Sequence, residues 1–127
     1  MALTKENGLE FLSNCEGYHQ LLKGLHWQTD NKAEHLLSDE IDSDVLDFED
    51  RMAENIMGSL SEKYHTGDLK TMLPEATDIK GLLDEMENDI LSFSDEIGEK
   101  SKMNGLHNII DDFLESINKW KYLATLR

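Results

Sequence analysis

The chain has 127 residues and a formal charge of -15 at pH 7, and it contains one proline, eight glycines and one cysteine. This length suits a single domain over residues 1–127, and the scarcity of turn-forming residues excludes a β-sandwich or a β-barrel. The acidic excess argues against binding to nucleic acid or to an anionic membrane. A lone cysteine rules out an intramolecular disulfide framework and a cysteine-rich zinc site. We therefore predict an all-α domain.

Apolar residues recur every three or four positions along the chain, which predicts four amphipathic helices. Thr4 is a suitable N-cap for the first helix and Asp30 or Asn31 for the second, because their side chains can accept hydrogen bonds from the free N–H groups of a first turn. In chain order, the predicted helices cover residues 5–28, 32–60, 76–98 and 106–126.

The second helix carries the longest apolar stripe. Its members follow one another at steps of three or four residues, a spacing that indicates a helix and fits no strand. They are Leu37, Ile41, Val45, Phe48, Met52, Ile56 and Leu60. We expect this stripe to face the core.

A polar segment at residues 61–75, with Gly67 and Pro74, separates the second helix from the third. It is long enough to run from one end of a helical bundle to the other. A four-helix bundle with one long crossover connection is the ferritin-like arrangement, and this is the fold that we predict.

The second helix also carries residues of the types that bind metals. On a wheel of about 100° per residue, His35, Asp39, Asp50 and Glu54 share one arc of about 100°, opposite the apolar stripe. Leu46 falls within the same arc. A face that mixes ligand types with apolar residues suits contact with another helix better than it suits bulk solvent.

Distance decides how these ligands combine. His35 and Asp50 are separated by about 22 Å along a straight helix, so one ion cannot bridge them. If two copies pack antiparallel about a two-fold axis, the His35–Asp39 end of one meets the Asp50–Glu54 end of the other, and two equivalent sites form. His26, at the end of the first helix, can reach the same place. This mixed set suits iron, zinc or manganese.

The segment resembles the mini-ferritins of the Dps family (DNA-binding proteins from starved cells). In that family, one subunit supplies a histidine of a His-Trp pair and a second histidine followed four residues later by an aspartate. The partner supplies an Asp-x-x-x-Glu motif, often with a glycine after it. The matching residues are His26-Trp27, His35 with Asp39, and Asp50 with Glu54 followed by Gly58. The turn between His26 and His35 is shorter than the family's, which is expected to shift His26.

The resemblance implies a ferroxidase: a cytoplasmic homodimer, or a larger homo-oligomeric shell, that binds Fe(II) and oxidises it with peroxide or oxygen. The implied role is iron storage or protection from oxidative stress. The metal ligands would be His26, His35, Asp39, Asp50 and Glu54. Neither MALTKENG nor WKYLATLR is the basic tail that binds DNA in the family, so we do not expect DNA binding.

Two other functions fit the same residues. The chain could be a zinc or manganese binder without ferroxidase turnover, or a non-enzymatic dimeric helical scaffold. In the simplest alternative the acidic residues, including Asp47 and Glu49, are a solvated helix face. We expect His19 to be a core histidine with a partner and His107 to lie at the surface. No signal-peptide pattern and no apolar run of membrane length occur, so we expect a cytoplasmic protein with no membrane partner.

Overall fold

A computed structural model describes residues 2–99 and 102–126 of the chain. Within these residues the structure has four α-helices and no β-strand, so the prediction of an all-α four-helix bundle is confirmed. The helices are α1 (Lys5–Gln28), α2 (Lys32–Leu60), α3 (Ile79–Glu96) and α4 (Asn104–Leu123). The first two have the predicted bounds. Helix α3 is shorter than the predicted 76–98, and α4 begins two residues before and ends three residues before the predicted 106–126.

Local hydrogen bonds explain the bounds of α3 and α4. The Asp78 side chain accepts a hydrogen bond from the Gly81 backbone N–H at 2.8 Å, so the helix begins after it and residues 76–78 precede it. Gly98, with a φ of 93°, follows the C-cap and turns the chain away. After α4, the Leu126 N–H donates to the Leu123 carbonyl at 3.1 Å, which is a tighter turn than an α-helix makes.

Side chains also fix the starts of the first two helices, as the sequence predicted. Thr4 Oγ1 accepts from the Asn7 N–H at 3.0 Å, and the Asn7 side chain accepts from the Thr4 N–H at 2.8 Å. Asn31 Oδ1 accepts from the Glu34 N–H at 3.1 Å. Each bond satisfies an N–H group that has no partner inside its own helix.

The core is built around the four phenylalanines of the chain, one from each helix. Phe11 of α1 stacks on Phe93 of α3 with ring centroids 4.2 Å apart, and Phe48 of α2 stacks on Phe113 of α4 at 4.0 Å. Phe11 meets Phe48 edge to face at 5.9 Å, which links the two pairs. Helices α1 and α4 each pack against both α2 and α3, so the four helices form a square in cross-section.

The connection between α2 and α3 lies along α1. Its contacts advance from one end of α1 toward the other: Tyr64 Oη donates to the Lys5 carbonyl at 2.9 Å, and the Met72 N–H donates to the Ser13 carbonyl at 3.1 Å. At Gly17 the backbone approach is so close that a Cβ atom would lie 1.7 Å from the Met72 carbonyl oxygen. A residue without a side chain is therefore required at this position.

Helix α2 has two faces with different surroundings. Its inner face is the predicted apolar stripe, of which Ile41, Val45 and Met52 are fully buried. Its outer face, which we define by His35, Asp39, Leu46, Asp50 and Glu54, is exposed. In the described part of the chain, no helix is both long enough and apolar enough to cross a membrane.

Candidate metal centre

The predicted site is organised by a pair of histidines across the turn from α1 to α2. His26 Nδ1 lies 2.9 Å from the carbonyl oxygen of His35, and His35 Nδ1 lies 2.8 Å from the carbonyl oxygen of His26. The two rings stack with their centroids 3.7 Å apart. The short turn therefore brings the two imidazoles directly together.

These two hydrogen bonds select the tautomer of each ring. A carbonyl oxygen only accepts hydrogen bonds, so each Nδ1 carries a proton and donates it. A neutral ring of this kind has its lone pair on Nε2. No residue in the described ranges bonds to either Nε2 atom. Metal-ligating histidines commonly have this arrangement, with Nδ1–H given to a carbonyl and Nε2 free for the ion.

The stacking also limits how the rings can bind ions. The ring planes are inclined by only 22° at a centroid separation of 3.7 Å. A metal bound to an imidazole lies near the plane of that ring, about 2.0–2.1 Å from its nitrogen. An ion in the plane of one ring is therefore well outside the plane of the other. If both rings were to bind ions in this conformation, each would therefore need an ion of its own.

The carboxylates of the predicted set are all exposed on the outer face. Asp39 follows His35 by one helical turn, and Glu54 follows Asp50 by one turn. The two pairs remain about 22 Å apart along α2. Among residues 2–99 and 102–126, no group of three or more His, Cys, Asp or Glu side chains is placed to hold a metal ion. The structure thus brings His26 and His35 together and leaves Asp50 and Glu54 apart from them.

Trp27 lies next to the histidine pair and is 73% exposed. The Nζ of Lys23 lies 5.6 Å from the centroid of the Trp27 ring. This distance is within the range of a cation–π contact. A large aromatic side chain this exposed adds apolar surface at the histidine end of the outer face.

Sequence analysis missed a pair of carboxyl groups between α1 and α2. Glu49 was predicted to lie on a solvated face, but it is partly buried, and its Oε1 atom is inaccessible to solvent. Burial, followed by a hydrogen bond with Glu16 and the charges of Glu16 and Asp50, raises the pKa of Glu49 to about 8. Two carboxyl groups can bond only if one of them holds a proton, and the raised pKa of Glu49 favours the protonated form of that residue near neutral pH. The spacing does distinguish Glu49 from its exposed neighbours: it stands four residues after Val45 and three before Met52, at the edge of the apolar stripe, whereas Asp47 lies on the other side of the helix.

The predictions for His19 and His107 had different outcomes. His19 is only partly buried, so the prediction of a core position is wrong, but it has the predicted partner: its Nδ1 lies 2.6 Å from Asp42 Oδ1, which links α1 to α2. The prediction that His107 lies at the surface is wrong. His107 is buried, its Nε2 donates to the Gly98 carbonyl at 2.9 Å, and its Nδ1 lies 3.1 Å from Ser94 Oγ. It closes the link between α3 and α4 and is remote in the chain from the candidate site.

Residues 26–123 match a protein family of unknown function, DUF5856. The match covers more than half of the chain, so the protein belongs to this family. The matched span begins at His26 and includes all five predicted ligands. Comparison with curated proteins and with solved structures gave no match.

Proposed function

We propose that this protein binds Fe(II) at sites shared between two antiparallel copies of the chain and promotes its oxidation by peroxide or oxygen. The observation that carries the proposal is the reciprocal His26–His35 pair, whose hydrogen bonds leave both Nε2 atoms free for ions. The implied role is to sequester iron or to protect against peroxide, as the resemblance to the Dps family suggests.

The antiparallel arrangement follows from the length of α2. Bringing His35 and Asp39 of one copy to Asp50 and Glu54 of the other places the two-fold axis about midway between the two pairs, near residues 44–45. Leu46 is 42% exposed on the same face and would therefore contact its own counterpart close to the axis. Each of the two sites would then contain two imidazoles and three carboxylates.

The residues of such a site have separate duties. The two imidazoles bind Fe(II), and their parallel stacking assigns each to its own ion. The carboxylates of Asp39, Asp50 and Glu54 are hard oxygen ligands, so they favour the ferric product over the ferrous substrate. Oxidation of two Fe(II) ions by one hydrogen peroxide consumes two protons and gives two Fe(III) ions and two water molecules.

Chain mixing tests whether the site is shared. His35→Ala and Glu54→Ala each damage both sites of a homodimer. A heterodimer of these two variants contains one intact site and one doubly damaged site. After random mixing, about a quarter of the wild-type number of sites should be recovered. The measurement is anaerobic Fe(II) titration followed by peroxide, with ferric absorbance as the readout.

A matched mixture provides the control. His35→Ala mixed with Asp39→Ala forms no intact site, because both changes affect the same half of each site, so this mixture should stay inactive. Recovery in the first mixture alone supports a shared site. Equal behaviour of the two mixtures contradicts it. If Fe(II) binds in the first mixture but no ferric absorbance develops, the protein is a metal binder without turnover.

A further inference from the structure

The outer face of α2 exposes little apolar surface for a dimer contact. Leu36 and Leu46, which are 58% and 42% exposed, are the large apolar residues that α2 leaves open. A stable protein–protein interface buries about 1,200–2,000 Å² and involves about 20–30 residues on each side. These two leucines, together with the exposed Trp27 at the histidine end of the face, supply only part of that area from each copy.

The charges on this face oppose association. Asp39, Asp50 and Glu54 form no ion pair with a lysine or arginine in the described ranges. A two-fold contact would bring three such carboxylates from each copy together, in a protein whose formal charge is -15. Like charges at an interface suppress association unless they are neutralised. His19 does not neutralise them, because it is already paired with Asp42.

We propose that divalent cations gate the assembly, so that two copies associate through the outer face of α2 only when cations occupy the shared sites. This inference rests on the proposed function and adds its regulation: the ion would be the ligand that joins the subunits as well as the substrate. A single copy of the chain already forms the histidine pair before a second copy associates. It would hold an ion loosely until the carboxylates of the second copy complete the ligand set.

Linkage gives the expected size of the effect. An ion that binds the dimer and not the monomer stabilises the dimer by RT ln(1 + [ion]/Kd) for each site. Because two sites close in each dimer, every tenfold rise in free ion above the site dissociation constant should lower the dimer dissociation constant by about a hundredfold, as long as the ion is too dilute to occupy the histidine pair of the monomer. Two ions per site would make the dependence steeper.

Sedimentation velocity of the full chain tests this inference, in EDTA and then over a range of free Mn²⁺, with anaerobic Fe(II) as the second probe. Bound metal is measured on the same samples after gel filtration. We expect a monomer in EDTA and a dimer with Mn²⁺. The matched variants are Glu54→Gln, which should stay monomeric at the same Mn²⁺ concentration, and Glu62→Gln, an exposed carboxylate outside the face that should behave as wild type.

The outcomes separate this inference from the proposed function. A dimer that persists in EDTA and binds Mn²⁺ overturns gating and leaves the shared site standing. A monomer that binds metal without associating overturns both gating and the shared site. A chain that neither binds metal nor associates overturns the metal-binding function itself. The circular dichroism spectrum of each variant shows whether its monomer is folded.

Discussion

The two faces of α2 differ in whether a single copy of the chain can complete their contacts. On the inner face, Ile41, Val45 and Met52 are fully buried by residues of the same chain. On the outer face, the ligand-type residues are exposed, and Asp50 and Glu54 have no histidine of their own chain within reach. The fold of one chain buries the apolar stripe of the inner face. The proposed half-site on the outer face would obtain its remaining metal ligands only from a second molecule. Substitutions on the two faces should therefore have different consequences.

The largest effect is expected on the inner face. Phe48→Ala removes a buried ring that stacks on Phe113 of α4 and meets Phe11 of α1 edge to face. We expect the free energy of unfolding to fall by about 3–5 kcal/mol, which is a large part of the stability of a domain this size. The measurement is urea unfolding in EDTA.

Leu46→Ala is the matched control, two residues away on the outer face. Leu46 is 42% exposed, so its loss should cost less than about 1 kcal/mol when no metal is present. A similar loss for both variants would contradict the distinction between the two faces. It would indicate that the outer face is already covered without metal.

An intermediate effect is expected where the two faces meet, at Glu49. Burial and the bond with Glu16 raise its folded pKa to about 8, above the ordinary value of about 4.3 for an unfolded chain. The folded state then binds the extra proton, so this contribution to stability is fully present below about pH 4 and is lost as the pH rises through about 8. Between these limits the free energy of unfolding should fall as the pH rises, less steeply than for a fully buried carboxyl group, because solvent screens a partly exposed one.

Glu49→Gln tests this dependence because the amide keeps the shape and can donate a hydrogen bond to Glu16. Urea midpoints between pH 5.5 and pH 8.5 should change less steeply in the variant than in the wild type. Asp47→Asn, at an exposed position on the same helix, should keep the wild-type slope. Parallel slopes for Glu49→Gln and the wild type would show that the pKa of Glu49 is not raised by folding.

Much of this architecture could be predicted from the sequence, because helical periodicity and capping residues act locally. The stripe from Ile41 to Ile56 and the caps at Thr4 and Asn31 are examples, and the bounds of α1 and α2 followed from them. Glu49 and His107 were misassigned for different reasons. Glu49 stands four residues after Val45 and three before Met52, so its spacing placed it at the edge of the apolar stripe although its residue type favoured solvent. The burial of His107 goes with its bonds to Ser94 and Gly98, which α4 alone does not encode. The reciprocal bonds of His26 and His35 likewise depend on how closely the turn brings two helix ends together.

The smallest effect on stability, and the sharpest test of the comparison, is expected on the outer face. Glu54→Gln replaces an exposed carboxylate by an amide of the same shape, so unfolding in EDTA should change by no more than about 0.5 kcal/mol. With free Mn²⁺ at about 100 times the site dissociation constant, the wild type should gain about 2.7 kcal/mol per site, and the variant should gain much less. If Glu54 is a metal ligand, the free energies of unfolding of the wild type and Glu54→Gln should therefore differ only when the ion is present. If Glu54→Gln destabilises the protein equally in EDTA and in Mn²⁺, Glu54 supports the fold and is not a ligand.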